Sequence, residues 1–266
     1  MIRALAVLAG LTATGPAVVQ ERPWTPLPSP VSATCPGGLC QPQGLGAFFD
    51  ALDRGGRVSI VQFGDSHTAG GDITGSLHWR LRARYPGRDI QLTPHGVVGD
   101  TLRGLEAREP VLTPGTPTPD LVILAYGTNE GFDDLLDPAI YERRLRDQLA
   151  RLRSLFPRAS LLILGPPEAM RGEGGGTCAS DRDRRWRAPA MLSVVRDLQH
   201  RVAAEAGVAF WDWRGRMGGE CSAHALTLGE APMMRPDHVH FTGAGGDWIG
   251  GLLFDDIAAA HGRGGR

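Results

Sequence analysis

Short runs dominated by apolar residues, each closed by glycine or polar turn residues, recur along the chain. They are Val58 to Phe63, Leu121 to Ala125, Leu161 to Leu164 and Val208 to Trp211. A run of this length between turn signals reads as a strand buried on both faces. Ile90 to Leu92 reads as a shorter one. Between the runs the spacing changes to that of amphipathic helices. Leu77, Leu81 and Tyr85 recur every four residues as far as Pro86-Gly87. Tyr141, Leu145, Leu149, Leu152 and Phe156 hold a stripe that begins after Asp137-Pro138, a cap followed by a first-turn proline. Met191, Val195, Leu198 and Val202 form another stripe, stopped by Gly207. Leu45 to Leu52 reads as one or two helical turns, and a last helix is expected from about Gly245 to His261. Strands that alternate with helices and are apolar throughout predict a parallel sheet covered on both faces, the α/β class.

Three stretches lack either period. Met1-Ile2-Arg3, the apolar core Ala4 to Leu11 and the small residues up to Ala17 have the layout of a secretory signal peptide. That core is too short to span a bilayer. Residues 18–42 are rich in Pro, Ser and Thr and read as a linker or arm ahead of one domain, 43–266. Arg171 to Arg187 is polar and reads as an exposed loop. Export, to the periplasm or beyond, makes disulfides the expected state of the four cysteines. Three pairings are possible. Cys35–Cys40, closed by the Gly-Gly between them, and Cys178–Cys221 is the pairing expected; a zinc site lacks a second matching cysteine pair.

A chain of 266 residues is long enough for a single domain with a sizeable core. Its net charge of -1 gives no basis for a nucleic-acid or membrane-surface partner. No membrane span, cofactor or metal is expected, and a monomer is.

The chemistry concentrates where the first long apolar run stops, at Gly64-Asp65-Ser66-His67. Such a turn can be structural only, since Gly, Asp and Ser are common turn residues. A serine just past the carboxyl end of a parallel strand, however, stands where open α/β sheets bind ligands. To act as a nucleophile, Ser66 needs a histidine base with an orienting carboxylate. Asp237 and His240, three apart before the last helix, fit if one helical turn sets the carboxylate beside the imidazole. Asp237, His238 and His240 could also be read as metal ligands, but no second cluster completes such a site. His67, next to Ser66, is expected to point elsewhere.

The order Gly64-Asp65-Ser66-His67, Gly99, Gly127-Thr128-Asn129-Glu130 and Asp237-x-x-His240 resembles the SGNH (GDSL-like) hydrolases over residues 57–260. The resemblance implies a three-layer α/β/α sandwich with a central parallel sheet, similar to flavodoxin. It implies Ser66 as nucleophile, His240 as general base and Asp237 as its partner. The oxyanion hole would comprise the Ser66 and Gly99 N–H groups and the Asn129 side chain. Val61 to Thr68 and Asp237 to Thr242 look most like exported bacterial O-acetylesterases of polysaccharide, including peptidoglycan. The expected activity is therefore hydrolysis of a small acyl ester, acetyl above all, on an acetylated glycan. An O-acyltransferase using the same triad is the alternative, and a non-catalytic binding module on the same fold a third.

Overall fold

The structure is a computed structural model that describes Cys35, residues 38–108, residues 118–176, Cys178 and residues 185–264. The segment expected to be a signal peptide, and residues 18–34 of the expected arm, lie outside the described residues.

The apolar runs are the strands. β1 (Leu39–Cys40), β2 (Gly56–Gly64), β3 (Arg88–Gly96), β4 (Leu121–Ala125), β5 (Ser160–Leu164) and β6 (Ala209–Trp211) form one sheet, ordered β1-β6-β5-β4-β2-β3. From β3 to β6 every pairing is parallel, and β1 adds an antiparallel edge beside β6. β1 is the departure from a purely parallel sheet. It comes from the stretch expected to be linker, where two residues are too few for a periodic signal. β3 is three times longer than the Ile90–Leu92 run expected. Only Ile90 is buried in it, because an edge strand needs a hydrogen-bonded neighbour more than an apolar face.

Alternate strand residues face two cores. Leu121, Ile123 and Ala125 of β4 enter one core, and Val122 and Leu124 enter the other. On the first side the sheet is covered by α1 (Gly46–Arg54), α3 (Asp72–Arg84) and α10 (Gly243–Gly264). On the second side lie α6 (Pro138–Leu155) and α7 (Ala190–Ala206), whose stripes Tyr141, Leu145, Leu149, Leu152 and Val195, Leu198, Val202 are all buried. Each such side chain contributes ~1.5–3 kcal/mol through burial. Asp137 caps α6 by accepting the Ala139 and Ile140 N–H groups at 2.8 and 3.2 Å. The result is the expected α/β/α sandwich.

Gly250 of α10 has a packing reason. A Cβ on Gly250 would lie 2.6 Å from the Ile73 carbonyl oxygen and 2.8 Å from Ser76 Cβ. α10 therefore crosses α3 at backbone contact, and Ser76 Oγ donates to the Asp247 carbonyl at 2.9 Å across the crossing.

The chain leaves β2 for β3 on one side and then returns to β4 on the other, a topological switch at which such sheets place their sites. Gly64 is level with Gly96 of β3 and with Ala125 of β4. Ser66, Gly99 and Asn129 thus emerge from one edge of the sheet.

Candidate active site

Ser66 opens α2 (Ser66–Gly70), the short helix that follows β2. Asp65 is its cap and accepts the His67 N–H at 2.9 Å. The capping turns Ser66 Oγ toward His240, whose Nε2 lies 2.9 Å away. On the far side of that imidazole, Nδ1 lies 2.9 Å from Asp237 Oδ2. The structure thus brings Ser66, His240 and Asp237 into one continuous chain of hydrogen bonds.

The Asp–His contact is not made by a helical turn. Residues 236–240 form turns and bends, with His238 at a φ of 59°. Asp237 Oδ1 closes the turn by accepting the Val239 and His240 N–H groups, each at 2.9 Å. One carboxylate oxygen shapes the loop and the other meets the imidazole. Burial alone would raise the Asp237 carboxyl, but the two N–H groups and the His240 ring outweigh it and hold it below its ordinary value.

Gly99 lies in the turn Val97 to Asp100, closed by the Asp100 N–H on the Val97 carbonyl at 3.1 Å. Its φ of 75° is what the third residue of such a turn requires, and a Cβ there would meet nothing within 4 Å. The requirement is conformational. Asn129 lies in α5 (Thr128–Gly131) and donates from Nδ2 to the Asp100 carbonyl at 2.8 Å. One of its two N–H groups thereby fixes the Gly99 turn, which leaves the second for a ligand. Among the described residues, neither the Ser66 nor the Gly99 N–H is taken by a backbone carbonyl.

Several groups around the site had no signal in residue spacing. Glu130, next to Asn129, is buried and accepts the Leu102 N–H at 2.8 Å, where α4 (Leu102–Ala107) begins. Burial pushes its carboxyl up from 4.5 to about 7. Asp100 is buried beneath the Gly99 turn, where it accepts Tyr126 Oη–H at 3.1 Å and pairs with Arg108. The His67 ring stacks on His240 at 5.4 Å between centroids and lines the same cleft as Ser66. His95 stacks on Phe63 and belongs to β3. A direct signal for Asp65 and His67 was available only in their adjacency to Ser66.

The third residue of the metal reading does not converge with the other two. His238 is buried, with Nδ1 2.8 Å from the Pro236 carbonyl and Nε2 2.9 Å from His224 Nδ1. Trp186 stacks on it at 3.5 Å. Cys35, Cys40 and His200 bring three ligand-type atoms together, but the two sulfurs are bonded to one another.

Both expected disulfides, Cys35–Cys40 and Cys178–Cys221, are present. The second ties the loop after β5 to the start of α9 (Ser222–Ala225). In the same region Glu168, fully buried, pairs with Arg214 of α8 (Trp213–Met217). No helix among the described residues is long and apolar enough to cross a membrane.

A shallow cleft open to solvent lies between Ser66, His67, His240, Phe241, Ile73 and Arg235. A roomier hollow of about 470 Å³ lies against Phe49, Asp53 and His261. Asp53 precedes β2, so that hollow is at the opposite end of the strand from Ser66.

Solved structures of similar fold include one described as a peptidoglycan O-acetylesterase in action, with a TM-score of 0.67 and 20% identity. The match covers 83% of this chain and 95% of that one. An acetylxylan esterase from Geobacillus stearothermophilus superimposes with a TM-score of 0.57 at 22% identity, covering 76% of this chain and 95% of its own. A lipase/acylhydrolase from Enterococcus faecalis gives 0.57 at 20% identity, with 77% and 96% covered. No curated protein matches the sequence. The model of the GDSL-like lipase/acylhydrolase family matches residues 63–248, from the end of β2 into α10. The chain belongs to that family, and it is a carboxylic ester hydrolase.

Proposed function

We propose that this protein is an exported serine esterase that removes small acyl groups, acetyl above all, from a glycan of the cell wall or of another polysaccharide. The observation that carries the reading is the unbroken chain Ser66 Oγ, His240, Asp237, each link 2.9 Å, at the switch point of the sheet. Ser66 Oγ attacks the ester carbonyl carbon while its proton passes to His240 Nε2. His240 then returns that proton to the departing sugar oxygen, leaving an acyl group on Ser66. Water, deprotonated by the same imidazole, releases the acid and restores Ser66. Asp237 holds the Nδ1–H tautomer and stabilises the imidazolium between the two proton transfers. The Ser66 and Gly99 N–H groups and the second Asn129 N–H meet the oxyanion, each such donor contributing ~10²–10³ in rate.

The small acyl group rests on the acetylesterases among the similar folds. The two disulfides and the signal-like first residues support an oxidising compartment. Glycan as the alcohol portion rests on the resemblance of the motif stretches and on the acetylesterases among the similar folds.

The deciding experiment compares acetyl with octanoyl esters, and then acetylated xylan with O-acetylated peptidoglycan, using the purified chain and its Ser66→Ala variant. Release of acetate from a glycan, absent in Ser66→Ala, is expected. Preferential octanoyl cleavage would overturn the small-acyl reading. Acylated oligosaccharide forming faster than free acid would show a transferase instead.

A further inference from the structure

His67 sits between the two halves of the catalytic apparatus, and both of its ring nitrogens face acceptors. Nδ1 lies 3.1 Å from Asp65 Oδ1, and Nε2 lies 3.0 Å from the carbonyl oxygen of Val239, 172 residues away in the chain. A backbone carbonyl can only accept, so Nε2 carries a hydrogen. Asp65 Oδ1 already accepts the His67 backbone N–H, so it presents an acceptor to Nδ1 as well. A ring that donates from both nitrogens is an imidazolium. The Asp65 and His67 side chains are 2% and 4% exposed, so the charge pair is enclosed. Around the ring, Trp213 and Phe241 meet it in T-shaped contacts and His240 stacks on it.

We propose that His67 is the positioning residue for the base. As a buried imidazolium held by Asp65, it clamps the Val239 carbonyl and so fixes the loop that delivers His240 to Ser66. The inference rests on the reading of Ser66 and His240 as nucleophile and base. Val239 immediately precedes His240, so a shift of its carbonyl moves the His240 backbone. Asp237 already shapes the loop from one side, through the Val239 and His240 N–H groups. His67 holds it from the other, through the carbonyl between them. The two clamps leave His240 little freedom, and its ring stacks on the ring that holds its neighbour. Asp65 therefore has two tasks: it caps α2, which orients Ser66, and it charges His67, which orients His240. Nucleophile and base are aligned through one carboxylate. In both members of the pair burial is the largest influence and opposes charge. The partner outweighs it, leaving Asp65 below and His67 above their ordinary values. The charged and titratable groups facing the ring are Asp237 and His240 on the clamped loop, with Asp72 and Arg235 lining the same cleft.

Two measurements test the proposal. In the wild-type protein with ¹⁵N-labelled histidine, long-range ¹H–¹⁵N spectra at neutral pH should show one ring with both nitrogens protonated. Its ring protons should show nuclear Overhauser contacts to Trp213 and Phe241, which identify it as His67. A neutral ring there overturns the clamp, and this arm needs no variant. Kinetically, His67→Leu should lower kcat on an acetyl ester about 10²-fold with a much smaller change in KM, because the base is misplaced while most of the cleft lining is kept. His67→Gln, which keeps a donor for the Val239 carbonyl, should recover at least about tenfold of that loss. A wild-type kcat in His67→Leu, equal losses in both variants, or a rise confined to KM would each overturn it. His240→Ala and Ser66→Ala serve as references. If they retain activity, the nucleophile and base assignment fails, while the spectra still decide how His67 holds the loop.

Discussion

The candidate site has two halves built on different physics. Ser66, Gly99 and Asn129 leave the ends of β2, β3 and β4, three strands in continuous parallel register. Their positions are set by the ladder and by two packed cores. Asp237 and His240 stand on a stretch between β6 and α10 that contributes no strand to the sheet. Trp213, Leu226, Met234 and Phe241 anchor this second half in the first core, and polar and covalent ties complete its hold. They include the Asp237 turn, the Arg214–Glu168 pair, the Cys178–Cys221 bridge and the His67 contact with Val239. A parallel sheet fixes a nucleophile through many weak contacts, no one of which is decisive. The loop adds to such packing a few strong ties, each of which can be removed singly. The comparison therefore assigns distinct failures to the two halves.

The largest effect should come from separating the chemistry from the scaffold. Ser66→Ala and His240→Ala should each lower kcat by ~10⁴–10⁶ while leaving thermal unfolding nearly unchanged. His238→Ala is the contrast within the loop. Its ring is buried between Trp186 and His224, so the expected damage is to stability and much less to kcat. Equal kcat losses at His238 and His240 would mean that both imidazoles act in the reaction.

Next in size is Asp237→Asn. The amide oxygen can still accept the Val239 and His240 N–H groups, so the loop should keep its shape. The amide nitrogen, however, faces Nδ1 with a donor and favours the wrong tautomer. A loss of ~10²–10⁴ in kcat is expected with little change in KM. A variant that retains wild-type kcat would remove Asp237 from its assigned role.

The same division explains what could be read from the residues alone. The strand-borne half was legible because burial on both faces writes itself as apolar runs, and motif residues follow those runs directly. Ser66 and Asn129 are each within a few residues of a strand end. The loop-borne half carries no period. Asp237 and His240 emerge through their residue types, and the loop that joins them brings them together through an Asp-closed turn where a helical turn would also have served. β1 was missed for a related reason: Leu39 and Cys40 pair with Trp211 and Phe210, contacts that exist only once the chain has folded. Glu130 and Asp100 look like ordinary acidic residues. Their meaning lies in burial beneath the Gly99 turn, which has no linear signature. The arrangement of His67 joins residues 172 apart, and nothing local encodes that.

Opening the covalent tie of the loop half should cost stability more than chemistry. Cys178→Ser with Cys221→Ser removes a bridge that closes 43 residues, worth about 3–4 kcal/mol in the chain-entropy view. For a chain of this size the midpoint of thermal unfolding should fall by roughly 5–15 °C. Hydrogen exchange should rise first in the stretch from α8 to His240 and only later in β2 and β4. Early exchange throughout the sheet would mean that the halves unfold together, and the contrast between them would be lost.

The smallest effect concerns a weak point in the strand-borne half. Glu130 accepts the Leu102 N–H beside the Gly99 turn, and burial raises its carboxyl to about 7 from an unfolded value near 4.5. Below pH 4.5 the carboxyl is protonated in both states and contributes no pH dependence. Between pH 4.5 and about 7 the folded chain retains a proton that the unfolded chain has released, so stability falls as pH rises. Above pH 7 the full penalty of burying the charge is felt, on the order of 3–4 kcal/mol. Glu130→Gln keeps an oxygen for the Leu102 N–H but cannot ionise. Whatever its stability at pH 4, it should gain on the wild type as pH rises from 4.5 to 7 and hold a constant difference above that. Denaturant unfolding of both proteins at pH 4, 6 and 8 measures the difference directly. Parallel pH curves would show that Glu130 releases its proton at an ordinary value and that the Gly99 turn rests on an ionised carboxylate.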